Sequence, residues 1–262
     1  MELEKTDWII LGTHFRCLDI PAEAEADLSA LLQGFARPAP GARPDLELRF
    51  ADLPGNTGAP VSSLIEYRLV NEAISRAKGH HVLHAGAVEG PRGTCMILGE
   101  SGAGKTSLTL WLWAHGNRLV TDDLCPIAHG SLAPERFPRA LHMDAEYSPR
   151  LLAGIPPRPP SYPVDYYPFP EPAGSALPPP LPPITHLLVI ERGPQPEGEL
   201  SPLGQSEAAH HLLRAVIKPP GFELDRVLED MVRLAAGCSA YRLRSGTPEG
   251  AGARALELLG SS

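Results

Sequence analysis

Apolar residues recur every second position in some stretches of the chain and every third or fourth in others, and that difference predicts its elements. Residues 8–11 are an apolar run of strand length, 15–18 also read as a strand, and 46–50 alternates like a half-buried strand. Between them, Leu28, Leu31 and Leu32 share one face of a helix spanning 22–35. Leu64, Ile65, Leu69, Ala73 and Ile74 predict a second helix over 63–78, stopped by Gly79. The turn-rich stretch 54–58 marks off a small α+β lobe. Beyond it, 81–88 reads as one strand, 89–93 as a turn, and 94–98 as a second strand. A helix over 105–115 ends at Gly116, and a strand at 118–121 is cut off by Asp122 and Asp123. The apolar run 186–190 suits a buried strand ending at Glu191. Helices over 206–217 and 225–236 follow, then a short strand at 239–243. No internal repeat is visible.

Composition narrows the class. The 262 residues are 43% hydrophobic and 21% charged, ordinary globular usage that supplies a core and excludes wholesale disorder. This length fits one large domain or two small ones. The pattern divides it into a lobe with its connecting helix at 1–79 and a larger domain at 80–262. A net charge of −8 argues against a broad nucleic-acid footprint, although a local basic patch remains compatible with it. Apolar runs fall far short of the roughly 20 residues that span a bilayer. The polar start Met1-Glu2-Leu3-Glu4-Lys5 does not suit a secretory signal, so no membrane association and a cytoplasmic location are expected. Cys17, Cys95, Cys125 and Cys238 are scattered without metal-site spacing, and Cys95 and Cys125 read as small buried hydrophobes.

Proline is unevenly spread. Of 30 prolines, 13 fall in residues 155–183, which cannot form a regular helix or central strand. Two readings stand: a surface excursion of polyproline II character, or a loop near a site. In the second, Tyr162, Tyr166, Tyr167 and Phe169 supply aromatic contacts that could grip an extended chain.

One motif carries specific chemistry. Gly99-Glu100-Ser101-Gly102-Ala103-Gly104-Lys105-Thr106 fits G-x-x-x-x-G-K-[ST] at every fixed position, with an apolar strand entering and an apolar helix, beginning Lys105-Thr106-Ser107, leaving. Glycines let successive N–H groups turn toward a phosphate, and the helix aims its positive end at the same anion. In that chemistry Lys105 reaches the β- and γ-phosphates of ATP and the Thr106 hydroxyl ligates Mg²⁺. Asp122 and Asp123 end a strand sixteen and seventeen residues after Thr106. They allow a division of labour, one carboxylate for metal and one as general base. Elsewhere such a pair is commonly a turn. Glu191 is a further carboxylate candidate, Arg139 a phosphate or acceptor contact, and the adjacent His210 and His211 read as surface residues.

These residues resemble the catalytic domain of HPr kinase/phosphorylase and the smaller HPr-kinase-like proteins. His84 precedes Gly99 by fourteen intervening residues, and Gly116-Asn117-Arg118-Leu119-Val120-Thr121-Asp122-Asp123 is similar to that family's G-x-R-L-V-x-D-D. The likeness runs from His81 to Ile127. It implies nucleotide contact for Gly99 to Thr106, metal or base roles for Asp122 and Asp123, and an active-site role for His84. Read without it, His84 is a structural histidine in a strand. The family phosphorylates a protein serine with ATP or a related donor and Mg²⁺, on a fold related to the core of ATP-dependent phosphoenolpyruvate carboxykinase. The proline-rich stretch lies where that family's downstream substrate-engaging signature would be sought, so the resemblance carries the ATP site and not HPr as substrate. Small relatives of this kind include enzymes that modify ribosomally made peptides, lasso-peptide kinases among them.

The resulting expectation is an α/β fold: a P-loop-containing, HPr-kinase-like mixed sheet flanked by helices, plus the N-terminal lobe. The expected activity is ATP- and Mg²⁺-dependent transfer of the γ-phosphate to a hydroxyl, on serine of a peptide or small protein. Asp122 is cast as base, Thr106 and Asp123 as metal ligands, with the two Asp roles exchangeable. A small-molecule kinase or carboxykinase-like enzyme and a nucleotide sensor without transfer are the rivals, and a homo-oligomer is left open.

Overall fold

Period-2 and helical segments assemble into a mixed α/β structure. The computed structural model describes residues 6–39, 41–52, 60–144, 164–167, 169 and 180–260, with six α-helices among them. The chain divides into two units, Met1–Lys78 with Pro138–Ala176, and Gly79–Phe137 with Leu177–Ser262.

In the first unit β1 (Thr6–Ile10) and β2 (Thr13–Leu18) pair antiparallel, α1 (Ala22–Leu31) follows, and β3 (Leu46–Arg49) lies parallel to β2. The leucine stripe of α1 buries Leu28 and Leu31, and α2 (Val61–Arg76) buries Ile65, Leu69, Ala73 and Ile74. The apolar pattern extends the first helix to Phe35, but the helix stops at Leu31. Gly34 then passes so close to Pro138 that a Cβ there would lie 2.5 Å from the proline Cβ.

The second unit opens with β4 (His80–His84), β5 (Gly86–Gly90) and β6 (Gly93–Leu98), then α3 (Lys105–Ala114), β7 (Arg118–Thr121) and β8 (Leu124–Ala128). Residues 81–88 are therefore two strands rather than one. β4 pairs with β8, and the chain then changes sheet at Ala85, whose N–H donates to Asp123 O at 2.9 Å. Gly86 suits this crossing because a Cβ there would lie 2.2 Å from Thr109 Oγ1.

β9 (Leu141–Asp144) and β10 (Val164–Tyr167) form an antiparallel ribbon belonging to the first unit. The ribbon thus groups with the first unit, although it lies within the expected 80–262 segment. Ala140 N–H donates to Leu31 O at 3.3 Å, and Arg139 Nη2 donates to Glu66 Oε2 at 3.1 Å. β10 also places a strand inside the proline-rich stretch, at the edge of a two-stranded ribbon where missing donors cost least.

β11 (Ile184–Arg192), β12 (Glu199–Pro202), α4 (Gln205–Ala215), α5 (Leu224–Gly237), β13 (Ser239–Ser245) and α6 (Pro248–Leu259) complete the second unit. The mixed sheet runs β12-β13-β11-β6-β5-β7, with β11 parallel to both β6 and β13. Met96, Leu98, Leu187 and Val189 alternate toward one face, where Leu212 of α4 and Val227, Met231 and Leu234 of α5 complete a core. On α6, Gly252 meets Trp111 of α3, where a Cβ would lie 2.1 Å from the indole. Cys95 and Cys125 are buried, and burial pushes each thiol up to about 12. Among the described residues no helix is long and apolar enough to cross a membrane.

Candidate functional site

The central strand β6 ends at Leu98 and α3 begins at Lys105, so residues 99–104 must turn the chain within a short loop. Gly99, Gly102 and Gly104 adopt φ of 157°, 74° and 103°, values that side chains other than glycine's strain to reach. At Gly99 space also matters, because a Cβ would lie 2.8 Å from Ile190 O on β11. A Cβ at Gly102 or Gly104 would meet nothing within 4 Å, so these two glycines serve backbone conformation. No side chain caps the N-terminus of α3, which leaves the first-turn N–H groups available to an anion.

Lys105 occupies that first turn, followed by the partly exposed Thr106 and Ser107. Its ammonium donates to Gly99 O at 3.0 Å and Glu100 O at 3.2 Å, a fold of the side chain back onto its own loop. Burial pushes the Lys105 pKa below the usual lysine range, opposed by the charge of nearby Asp123. Asp122 is 5% exposed at the end of β7. Asp123 is more open, and its Oδ1 lies 2.9 Å from His84 Nδ1.

His84, Gly99–Ala103 and the strand end Val189–Arg192 border one cavity of about 1070 Å³, which His211, Arg214 and Ala215 of α4 also line. The parallel register sets Val189 opposite Leu98, so the end of β11 runs beside the loop. Arg192 Nη2 and Nε donate to Gly102 O at 3.0 and 3.2 Å, and Arg214 Nη2 donates to Glu100 Oε1 at 2.9 Å. Burial pushes the Glu191 carboxyl upward, but Arg244 and Arg242, at 2.9 and 3.0 Å, outweigh it and hold the carboxyl below its ordinary value. Burial lowers the His211 pKa.

The expected loop residues, Lys105, Asp123 and His84 therefore come together. Asp122 lies next to them in sequence but is buried. Arg139, the expected phosphate or acceptor contact, pairs with Glu66 within the first unit. Glu191 borders the cavity with its carboxylate already held by two arginines. Tyr167 and Phe169 are buried, which removes two of the four aromatics proposed to grip an acceptor. The side chains of Tyr162 and Tyr166 lie outside the described residues. Arg192, Arg214 and His211 went unrecognised in the sequence, and His211 is not the plain surface residue expected. The i, i+3 spacing of His211 and Arg214 puts them on one helix face, but only tertiary packing says what that face meets.

Among the described residues no group of three or more His, Cys, Asp or Glu is placed to hold a metal ion alone. Set beside known proteins, the chain matches no family model and no curated protein.

Proposed function

We propose that this chain is an ATP-dependent kinase of the HPr-kinase-like, P-loop-containing kind, transferring the terminal phosphate to a hydroxyl. The observation that carries the reading is the shared cavity: the glycine loop before α3 and His84, which contacts Asp123 at 2.9 Å, border the same space. The residues fit a polyphosphate. Three positive-φ glycines shape the loop, the α3 N-terminus is uncapped, and Lys105 rests on carbonyls that a phosphate oxygen can replace. Thr106 with one of the two Asp carboxylates would hold Mg²⁺, which supplies charge neutralisation at the phosphates when bound.

The proton-handling role falls to Asp123 rather than to Asp122. Asp123 touches His84 and reaches solvent, whereas Asp122 is buried. The acceptor oxygen forms its bond to the terminal phosphorus as the bond to the ADP oxygen breaks, and the hydroxyl proton passes to the His84–Asp123 pair. Lys105 and the loop amides stabilise charge on the transferring group. The sequence resemblance favours serine of a peptide or small protein as acceptor.

The test is transfer from γ-labelled ATP to a panel of serine peptides and small hydroxyl metabolites, read by mass spectrometry. Label on a peptide serine is the expected result. Label confined to a metabolite makes the protein a small-molecule kinase, and nucleotide binding with no transfer to either makes it a sensor.

A further inference from the structure

Two arginines border the cavity, and their partners differ. Arg214 meets the Glu100 carboxylate at 2.9 Å, so that pair is neutral overall. Arg192 directs two N–H donors at one backbone oxygen, Gly102 O, and among the described residues it has no carboxylate partner. Its neighbour Glu191 does not neutralise it, being held by Arg242 and Arg244. Arg192 therefore brings an uncompensated charge to the rim of a loop whose backbone is shaped for an anion.

Its position comes from the sheet. β11 and β6 are parallel, with Val189 opposite Leu98, so Arg192 emerges where the strand ends lie side by side. The missing side chain at Gly99 lets the Ile190 carbonyl of β11 come close to the loop. A guanidinium has five N–H donors, of which two rest on Gly102, leaving three for a ligand. Phosphate oxygens are stronger acceptors for it than a neutral carbonyl.

We propose that Arg192 binds the terminal phosphate of a nucleoside triphosphate seated in the loop, and so distinguishes triphosphate from diphosphate. This rests on the loop being a nucleotide site. The terminal phosphate is the relevant one because it must face the His84–Asp123 pair, where the acceptor hydroxyl loses its proton. Arg192 and His84 border the same cavity. An arginine supplied from within the same chain is a known means of stabilising charge on a phosphoryl group.

Calorimetric titration of MgATP and MgADP into wild type, Arg192→Ala, Arg192→Lys and Lys105→Ala tests this. Arg192→Ala is expected to weaken MgATP about ten-fold or more and MgADP less than about three-fold, with Arg192→Lys between wild type and alanine. Lys105→Ala is expected to weaken both nucleotides. Equal losses for the two nucleotides in Arg192→Ala, or no loss, overturn the role of Arg192, while a loss in Lys105→Ala leaves the loop reading standing. If wild type binds neither nucleotide, or Lys105→Ala binds MgATP as wild type does, the loop reading falls and the role of Arg192 with it.

Discussion

Strand β4 carries two His–Asp pairs of nearly equal geometry and opposite surroundings. His81 Nε2 lies 2.7 Å from Asp230 Oδ2, with side chains 6% and 8% exposed. His84 Nδ1 lies 2.9 Å from Asp123 Oδ1, with side chains 45% and 34% exposed. Their odd spacing along a strand sends the two histidines to opposite faces. At the first pair, Arg233 closes on the other Asp230 oxygen at 2.7 Å, and the His129 ring stands 4.2 Å from that of His81. His84 of the second pair borders the cavity beside the glycine loop. A His–Asp contact does not by itself mark a reactive site. Access to solvent and to the glycine loop separates the pair that ties β4 to α5 from the one we propose as the proton acceptor.

The sharpest break between the pairs lies in rate. His84→Asn is expected to lower phosphoryl transfer by roughly 10²-fold or more, the range for a lost acid–base group, with little change in thermal midpoint. A variant that keeps the wild-type rate would make the open pair as structural as the buried one. The opposite profile is expected for Asp230→Ala, which strands His81 and Arg233: a loss of about 2–3 kcal/mol in urea unfolding, with MgATP affinity unchanged in the folded fraction. Weakened MgATP binding without lost stability there would erase the distinction.

Smaller effects sharpen the same contrast at its hinge. Gly86 lets the chain leave β4 for the central sheet, and Gly86→Ala is expected to cost roughly 1–3 kcal/mol through the Thr109 hydroxyl. Adding Thr109→Ala should recover part of that loss, and failure to do so would place the strain elsewhere. Remote from both pairs, the Thr247 hydroxyl accepts from Gly250 N–H at 3.1 Å and caps α6. Thr247→Ala should cost about 1 kcal/mol and leave nucleotide affinity untouched.

What could be read in the sequence was local. The loop is contiguous and its spacing is chemical, so Gly99 to Thr106 stand out without a fold. Helix stripes and the strands at 94–98 and 118–121 follow from short periods. The break at Ala85 was invisible because the apolar pattern runs on while the hydrogen-bond partner changes. The partnership of His81 with Asp230 spans 149 residues, and that of Arg192 with Gly102 spans 90. Register between β6 and β11 decides the second, and nothing in either strand's own pattern reports it. The grouping of the β9–β10 ribbon with the first unit has no local signal, because proline suppresses periodicity beside it. α6 escaped notice because small residues, Gly250 to Ala253, dilute its apolar stripe.

The central claim is that residues 99–106 form a nucleotide-phosphate loop coupled to the open pair. Backbone hydrogen exchange, followed with and without MgATP, tests it at the amides themselves. The account predicts slowed exchange across the loop and the first turn of α3, lost in Lys105→Ala, with exchange around His81 and Asp230 unchanged. Saturating MgATP that leaves the loop amides exchanging at their free rate, while protecting another region, would contradict it.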